Sequence, residues 1–370
     1  MLTIRWKRLT CIPVFPFVIV LFIQILALVL LHSMSSGHFS SLCLRHIFRI
    51  GIGIIVMFSM VIISPNFWKR HAYWLYLLCL LMLIIVSIIG KISMGAQRWL
   101  DFYFFNFQPS ELMRVMLIII LAKYFSFFSI QNTQRTSSLI VPILLTAIPM
   151  LFVLMQPDLG TATLLFLVSA SIFFVCGVQL WKFVVVMLAC IGLAPILWNF
   201  LHEYQKNRIL MFLSPEIDPN GAGYHIIQSK IALGSGGLWG KGLMNGTQCQ
   251  LDFLPEKQTD FMFAALGEEL GFIGCLLLIF LYFLLLAYNV YVFLREHSKF
   301  NQILVFGLNA MLFFYIFINI AMVCGLLPVV GIPLPFFSYG GSALSVLMAC
   351  QGLIFSIDIE QKNGRHSYLG

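Results

Sequence analysis

Residues 270–294 read LGFIGCLLLIFLYFLLLAYNVYVFL, a run without one charged side chain. As an α-helix this segment is about 38 Å long at about 1.5 Å per residue. That exceeds the roughly 30 Å of a bilayer's hydrocarbon layer. In lipid the backbone must satisfy its own hydrogen bonds, which a helix does within one segment. A membrane barrel would instead show short alternating segments. Working outward, nine further apolar segments follow the same pattern, near 12–31, 47–64, 72–90, 109–128, 139–156, 159–178, 181–201, 301–327 and 333–357. The expected fold is an all-α polytopic membrane protein of about ten spans. Residues 1–370 form one integral membrane domain, with a long outer loop at about 202–261 between spans seven and eight.

Composition agrees. Hydrophobic residues make up 61% of the 370-residue chain and charged residues 10%, against about 25% charged in soluble domains. This excludes an ordinary soluble enzyme, a disordered chain and a nucleic-acid module. The net charge of +8 reads as topology, because Lys and Arg near span ends favour the cytoplasm. With the N-terminus inside, the inner stretches carry Arg5, Lys7, Arg8, Lys69, Arg70, Lys123, Arg135, Lys182, Arg295, Lys299, Lys362 and Arg365. Both termini are then expected in the cytoplasm, and the first span is a retained anchor. The cysteines are scattered without a CxxC pair and read as small buried hydrophobes, Cys43 and Cys249 being the loop candidates for a disulfide.

The long loop carries the chemistry-bearing residues. Glu203, Glu216, Asp218, Asp252, Glu256, Asp260, Glu268 and Glu269, eight of the 14 acids, fall within 203–269. The run 234–242, GSGGLWGKG, is not a nucleotide-binding loop: Ser235 and Gly242 stand where Gly and Ser/Thr are required. A bent, re-entrant segment is the expectation there, with glycine supplying the unusual angles.

Ionisable groups at span ends are costly and therefore functional candidates. Pro109 suits the first turn of a helix, and Glu111 suits its positive end. Arg114, three residues on, shares a face with Glu111, so the two can pair; that spacing serves a capped helix start as well as a site. Asp158 after Pro157 is a capping arrangement. Asn207-Arg208 and Tyr224–Lys230 offer cations and donors to an anionic substrate. Glu256 and Asp260 share a face if helical. Asp260 stands where a polar loop meets an apolar span, and partial desolvation there raises a carboxyl pKa, as a general base requires.

Six blocks resemble the SEDS family (shape, elongation, division and sporulation): GAQRWL at 95–100, QPSEL at 108–112, QPDLGTA at 156–162, DPNGAGYHIIQSKIALGSGGLWGKG at 218–242, LPEKQTDFMFAALGEELG at 254–271 and GLLPVVGIPLPFFSYGGSAL at 325–344. The last block resembles the elongation branch more than the division branch. The resemblance implies a peptidoglycan glycosyltransferase that polymerises lipid II at the outer face of the plasma membrane during elongation and rod-shape maintenance. It implies a class B penicillin-binding protein and other elongation proteins as partners, lipid II and the nascent glycan as ligands, and no nucleic acid. The family's essential aspartate falls on Asp260. Arg98, Glu111, Arg114, Asp158, Arg208, Glu256 and Lys257 make the expected substrate-binding set, with Arg114 and Arg98 foremost for the leaving pyrophosphate. Glu111 and Asp158 orient these cations or help hold a divalent cation. Three positions depart from the family: Arg114 stands for Lys, Gln258 for His, and Asn106 for an Arg common in relatives. The rival class is a lipid flippase, which needs ionisable groups threading the membrane; here they crowd one end.

Overall fold

The computed structural model describes residue 8 and residues 11–35, 41–93, 96–102, 105–200, 203–214, 223–254 and 256–368. Three helices, α1 (Val14–Met34), α2 (Ser41–Ile62) and α3 (Pro65–Ile89), precede a small antiparallel ribbon of β1 (Lys91–Ser93), β2 (Ala96–Phe102) and β3 (Phe105–Phe107). Then come α4 (Pro109–Ser126), α5 (Ile140–Met155), α6 (Leu159–Val175) and α7 (Leu180–Phe200). The long loop contains α8 (Glu203–Leu213) and α9 (Tyr224–Ser235), and α10 (Met262–Arg295), α11 (Lys299–Val323) and α12 (Gly341–Tyr368) complete the chain.

Each of the ten apolar segments falls on one helix. Seven of these helices are long and apolar enough to cross a membrane; α6 and α7 count as shorter apolar helices, and α4 carries Glu111, Arg114 and Lys123. The expected helix starts hold. Pro109 occupies a first-turn position, where the missing N–H removes no helical bond; Pro65, which the sequence reading did not single out, does the same at the start of α3. Asp158 caps α6, its Oδ1 accepting from the Thr161 N–H at 3.1 Å.

Burial sorts the helices. From Met113 to Ala122, α4 is buried on every side, packed among α3, α5, α6 and α11. A helix apolar all round belongs in the centre. By contrast α7 exposes Leu180, Val184, Leu188 and Ile191, and α10 exposes Leu276, Phe280 and Phe283. An apolar exterior around an apolar centre is what lipid requires of a multi-spanning membrane protein.

At one end of the bundle, Arg8 Nη2 lies 3.1 Å from Glu360 Oε2, beside the Lys362–Asp358 pair at 2.6 Å. Arg8 and the Asp358–Lys362 part of α12 therefore lie at one end, and the start of α12 at the other.

The structure differs from the sequence expectation in two places, and the bend expected at 234–242 is present, with Gly237, Gly240 and Gly242 at positive φ. The eighth apolar helix begins at Met262, eight residues before the apolar run, and kinks at Gly271 (φ 67°). Glycine is required at the kink: a Cβ there would run into the Gly240 backbone N. In the expected bend, residues 237–242 fold back along α10. Lys241 N–H and Gly242 N–H donate to the Glu268 and Glu269 carbonyls, and Phe272 N–H and Ile273 N–H donate to the Gly237 and Leu238 carbonyls. Finally, residues 256–260 are turns rather than helix, with Glu256 at φ 48°. Cys43 and Cys249 are both buried, and neither is in a disulfide among the described residues.

Candidate active site

A cavity of about 230 Å³ opens opposite the Arg8–Glu360 end. The starts of α4, α6 and α12 converge on it, with Tyr315 of α11, the 331–333 segment, Trp99 of β2 and the 259–260 turn. It brings together Glu111, Arg114, Asp158 and Asp260, residues spread over 150 positions of sequence.

One wall is a buried hydrogen-bonded network in which both terminal nitrogens of Arg114 are partnered. Arg114 Nη1 donates to Glu111 Oε2 at 3.0 Å, and Tyr315 Oη donates to the same oxygen at 3.0 Å. Arg114 Nη2 reaches Thr161 Oγ1 at 2.7 Å, and that hydroxyl donates to Asp158 Oδ2 at 2.8 Å. Gln108 Nε2 donates to Asp158 Oδ2 at 3.3 Å. The Arg114 guanidinium also lies 5.2 Å from the Tyr315 ring centre. Both members of the ion pair are only 6% exposed. At such burial, removing one partner strands a charge and costs roughly 3–5 kcal/mol.

The other wall is Asp260. Its carbonyl accepts from Asn319 Nδ2 at 2.9 Å, and the same amide donates to the Ile332 carbonyl at 2.7 Å. Two residues earlier, the Gln258 carbonyl accepts from the Tyr339 N–H at 2.9 Å. The turn is thus pinned by its backbone, leaving the carboxylate free: among the described residues no donor engages it. Burial pushes the Asp260 carboxyl up to about 6; Glu256 pushes the same way, and Arg208 opposes. A carboxyl with that pKa and no fixed donor suits proton abstraction near neutral pH.

Of the remaining expected residues, Arg208, Glu256 and Lys257 fall outside the cavity lining. Arg208 stands on α8 and Glu256 in the turn, both close enough to act on Asp260 electrostatically. Lys257 faces the other way, its Nζ bonded to the Cys249 carbonyl and to Asp252 Oδ1; it fastens the loop. The side chains of Arg98 and Asn106 lie outside the described residues, as do residues 215–222. Glu268, one of the loop acids, is structural: fully buried, it accepts from Lys241 Nζ and from the Gln248 and Cys249 N–H groups. Glu111 and Asp158 do not fit a resident cation. Arginine, hydroxyls and an amide already occupy them, and no three metal-ligating side chains cluster among the described residues.

Sequence reasoning missed Tyr315, Tyr339 and Arg49. The Arg49 guanidinium stacks 4.2 Å from the Tyr339 ring centre. Nothing local ties residue 49 to residue 339; the packing of α2 on α12 does.

Fold and site together define a polytopic membrane protein with a polar, acid-bearing cavity at one end of its helix bundle. The family profile described as FTSW_RODA_SPOVE, cell cycle protein, matches residues 8–363. The chain belongs to this family. It is 44% identical over 330 residues to peptidoglycan glycosyltransferase MrdB of Escherichia coli strain K12, covering 89% of this chain and 88% of that one. Among solved structures it is similar to a chain of a peptidoglycan synthase complex that coordinates polymerization and crosslinking (TM-score 0.82, 29% identity, 95% and 98% of the two chains). It is also similar to the rod shape determining protein RodA of Thermus thermophilus (TM-score 0.70, 27% identity, 95% and 97%).

Proposed function

We propose that the cavity is the polymerisation site of a peptidoglycan glycosyltransferase that builds glycan strands from lipid II during cell elongation. The acceptor lipid II presents its GlcNAc C4 hydroxyl to Asp260. The carboxylate takes the hydroxyl proton as the oxygen attacks MurNAc C1 of the growing strand. The C1–O bond to the lipid breaks, and undecaprenyl pyrophosphate leaves with the bonding electrons. The sugar arrives activated, so no nucleotide is consumed. The cavity is smaller than the roughly 300–1,000 Å³ that encloses a drug-sized ligand, so it takes only the reacting end of a lipid-linked sugar.

The observation that carries this reading is the division of the cavity into a pinned wall and a free base. The Arg114–Glu111–Tyr315 and Asp158–Thr161 contacts hold one side rigid, and Asp260 faces it with no donor among the described residues. Arg114 and its carboxylates orient the substrates and shape the field; burial raises the Asp260 pKa, and Glu256 and Arg208 adjust it in opposite directions.

The chain acts as one integral domain of ten spans in the bacterial plasma membrane. Both termini are cytoplasmic and the cavity faces outward, in keeping with the Lys/Arg distribution and with Arg8 and Glu360 meeting at the end away from the cavity. A class B penicillin-binding protein receives the nascent strand for crosslinking, since this chain has no SxxK nucleophile block. The test is purified protein in liposomes with labelled lipid II, alone and with that partner. Glycan polymer supports the reading; lipid II translocation without polymer would favour a flippase.

A further inference from the structure

The cavity is short of positive charge. Its lining holds three carboxylates, Glu111, Asp158 and Asp260, and one arginine, Arg114, which Glu111 already neutralises. A lipid diphosphate carries at least two negative charges and is repelled from such a wall; with Arg114 paired to Glu111 and Arg208 acting on Asp260, the diphosphate calls for a further cation at the edge.

Arg49 stands there. It lies on α2, two turns in from Ser41, after which the helix is apolar from Ile50 to Ile62 apart from Ser59. An arginine inside a span is costly and marks function by default. Among the described residues Arg49 has no carboxylate partner and no hydrogen bond. Its one close contact is the Tyr339 face at 4.2 Å, and its Nε is 3.3 Å from where a Gly341 Cβ would be. Tyr339 and Gly341 both line the cavity. Stacking on a ring uses the flat face of the guanidinium and leaves its N–H edge available, and that edge matches phosphate oxygens bidentately. Neighbouring His46, fully buried with its ring 5.7 Å from Tyr339, braces the same tyrosine.

We infer that Arg49 binds the diphosphate of the lipid-linked donor at the Tyr339–Gly341 edge of the cavity. This rests on the polymerase reading and assigns the pyrophosphate to a different arginine from Arg114. The donor's sugar C1 then faces Asp260 from the α12 side, and the leaving diphosphate stays outside the acidic part of the cavity.

The experiment has a binding arm and a rate arm. Purified full-length protein in detergent is titrated with undecaprenyl pyrophosphate and, separately, with undecaprenyl monophosphate. Arg49→Gln should weaken pyrophosphate binding at least tenfold, as expected for lost charge-assisted bonds, and monophosphate binding less than threefold. In polymerisation, Arg49→Gln should raise KM for lipid II about tenfold and change kcat less than threefold. Arg49→Lys should fall between Arg49→Gln and wild type. Wild-type pyrophosphate affinity in folded Arg49→Gln would overturn the inference. Wild-type protein supplies a check that needs no variant: undecaprenyl pyrophosphate should protect Arg49 from an arginine-selective dicarbonyl reagent, and modification of Arg49 unchanged by the lipid would equally overturn it. Arg49-dependent binding in a wild-type protein that makes no polymer would keep this inference and remove the polymerase reading.

Discussion

Replacing Glu256 by Gln should move the acid limb of the pH–rate profile to lower pH, and replacing Arg208 by Gln should move it to higher pH. The reasoning starts from the Asp260 carboxyl, whose pKa rises from 3.8 to about 6. That rise is about 3 kcal/mol against the charged form at about 1.36 kcal/mol per unit. Burial is the largest cause, the like charge of Glu256 adds to it, and Arg208 subtracts. Activity requires the carboxylate, so the wild-type rate should fall as pH drops through about 6. Removing Glu256 takes away a repulsion and eases ionisation; removing Arg208 takes away an attraction and hinders it. Because burial dominates, each shift should be smaller than the total displacement, and the two must have opposite signs. The assay is kcat/KM for lipid II polymerisation from pH 4.5 to 8, which reports the free enzyme's essential groups. Shifts of the same sign, or a limb unmoved by both substitutions, would refute the assignment of that limb to Asp260.

Other outcomes follow from the same geometry. Arg114→Lys keeps the ion pair with Glu111 but loses the second prong to Thr161, so polymerisation should stay within about tenfold of wild type; Arg114→Ala strands buried Glu111 and should cost roughly 3–5 kcal/mol in a denaturation assay. Gly240→Ala places a Cβ inside the Glu269 carbonyl at φ 81° and should destabilise by roughly 2–4 kcal/mol, whereas Gly234→Ala, in open space on α9, should be neutral or stabilising. A cysteine at Asn245 should react with an impermeant thiol reagent added outside whole spheroplasts; labelling only after the membrane is opened would invert the topology.

The helices were legible because lipid simplifies the problem: a long apolar run in hydrocarbon has few alternatives to a helix. Starts marked by Pro109 and Asp158 were equally plain, since capping is local. The ribbon Lys91–Phe107 was not, because it depends on a turn and on cross-strand pairing rather than on an apolar period. The start of α10 was hidden for a related reason. Glu268 and Glu269 look like loop acids, but the folded-back 237–250 segment supplies amides and Lys241 to Glu268, while Ser33 of α1 reaches Glu269 at 2.5 Å. The site divides the same way. Glu111 and Arg114 pair across one helical turn and could be foreseen. The links from Arg114 to Thr161, from Tyr315 to Glu111, and from Arg49 to Tyr339 are long-range contacts that only packing creates. Lys257 shows the converse: a cation beside Asp260 in sequence turns toward Asp252 instead.

The central claim is that Asp260 is the general base, and Asp260→Asn tests it most directly. The amide keeps the shape of the side chain but cannot accept the proton usefully, and the backbone bonds from Asn319 and Tyr339 that pin the turn do not involve it. The protein should insert, melt and bind the proposed penicillin-binding partner as wild type does. Its rate of polymerising labelled lipid II should fall by roughly 10²–10⁴-fold, about 3–5 kcal/mol of barrier. Polymerisation by Asp260→Asn within a few-fold of the wild-type rate, at equal protein level and partner binding, would contradict the account.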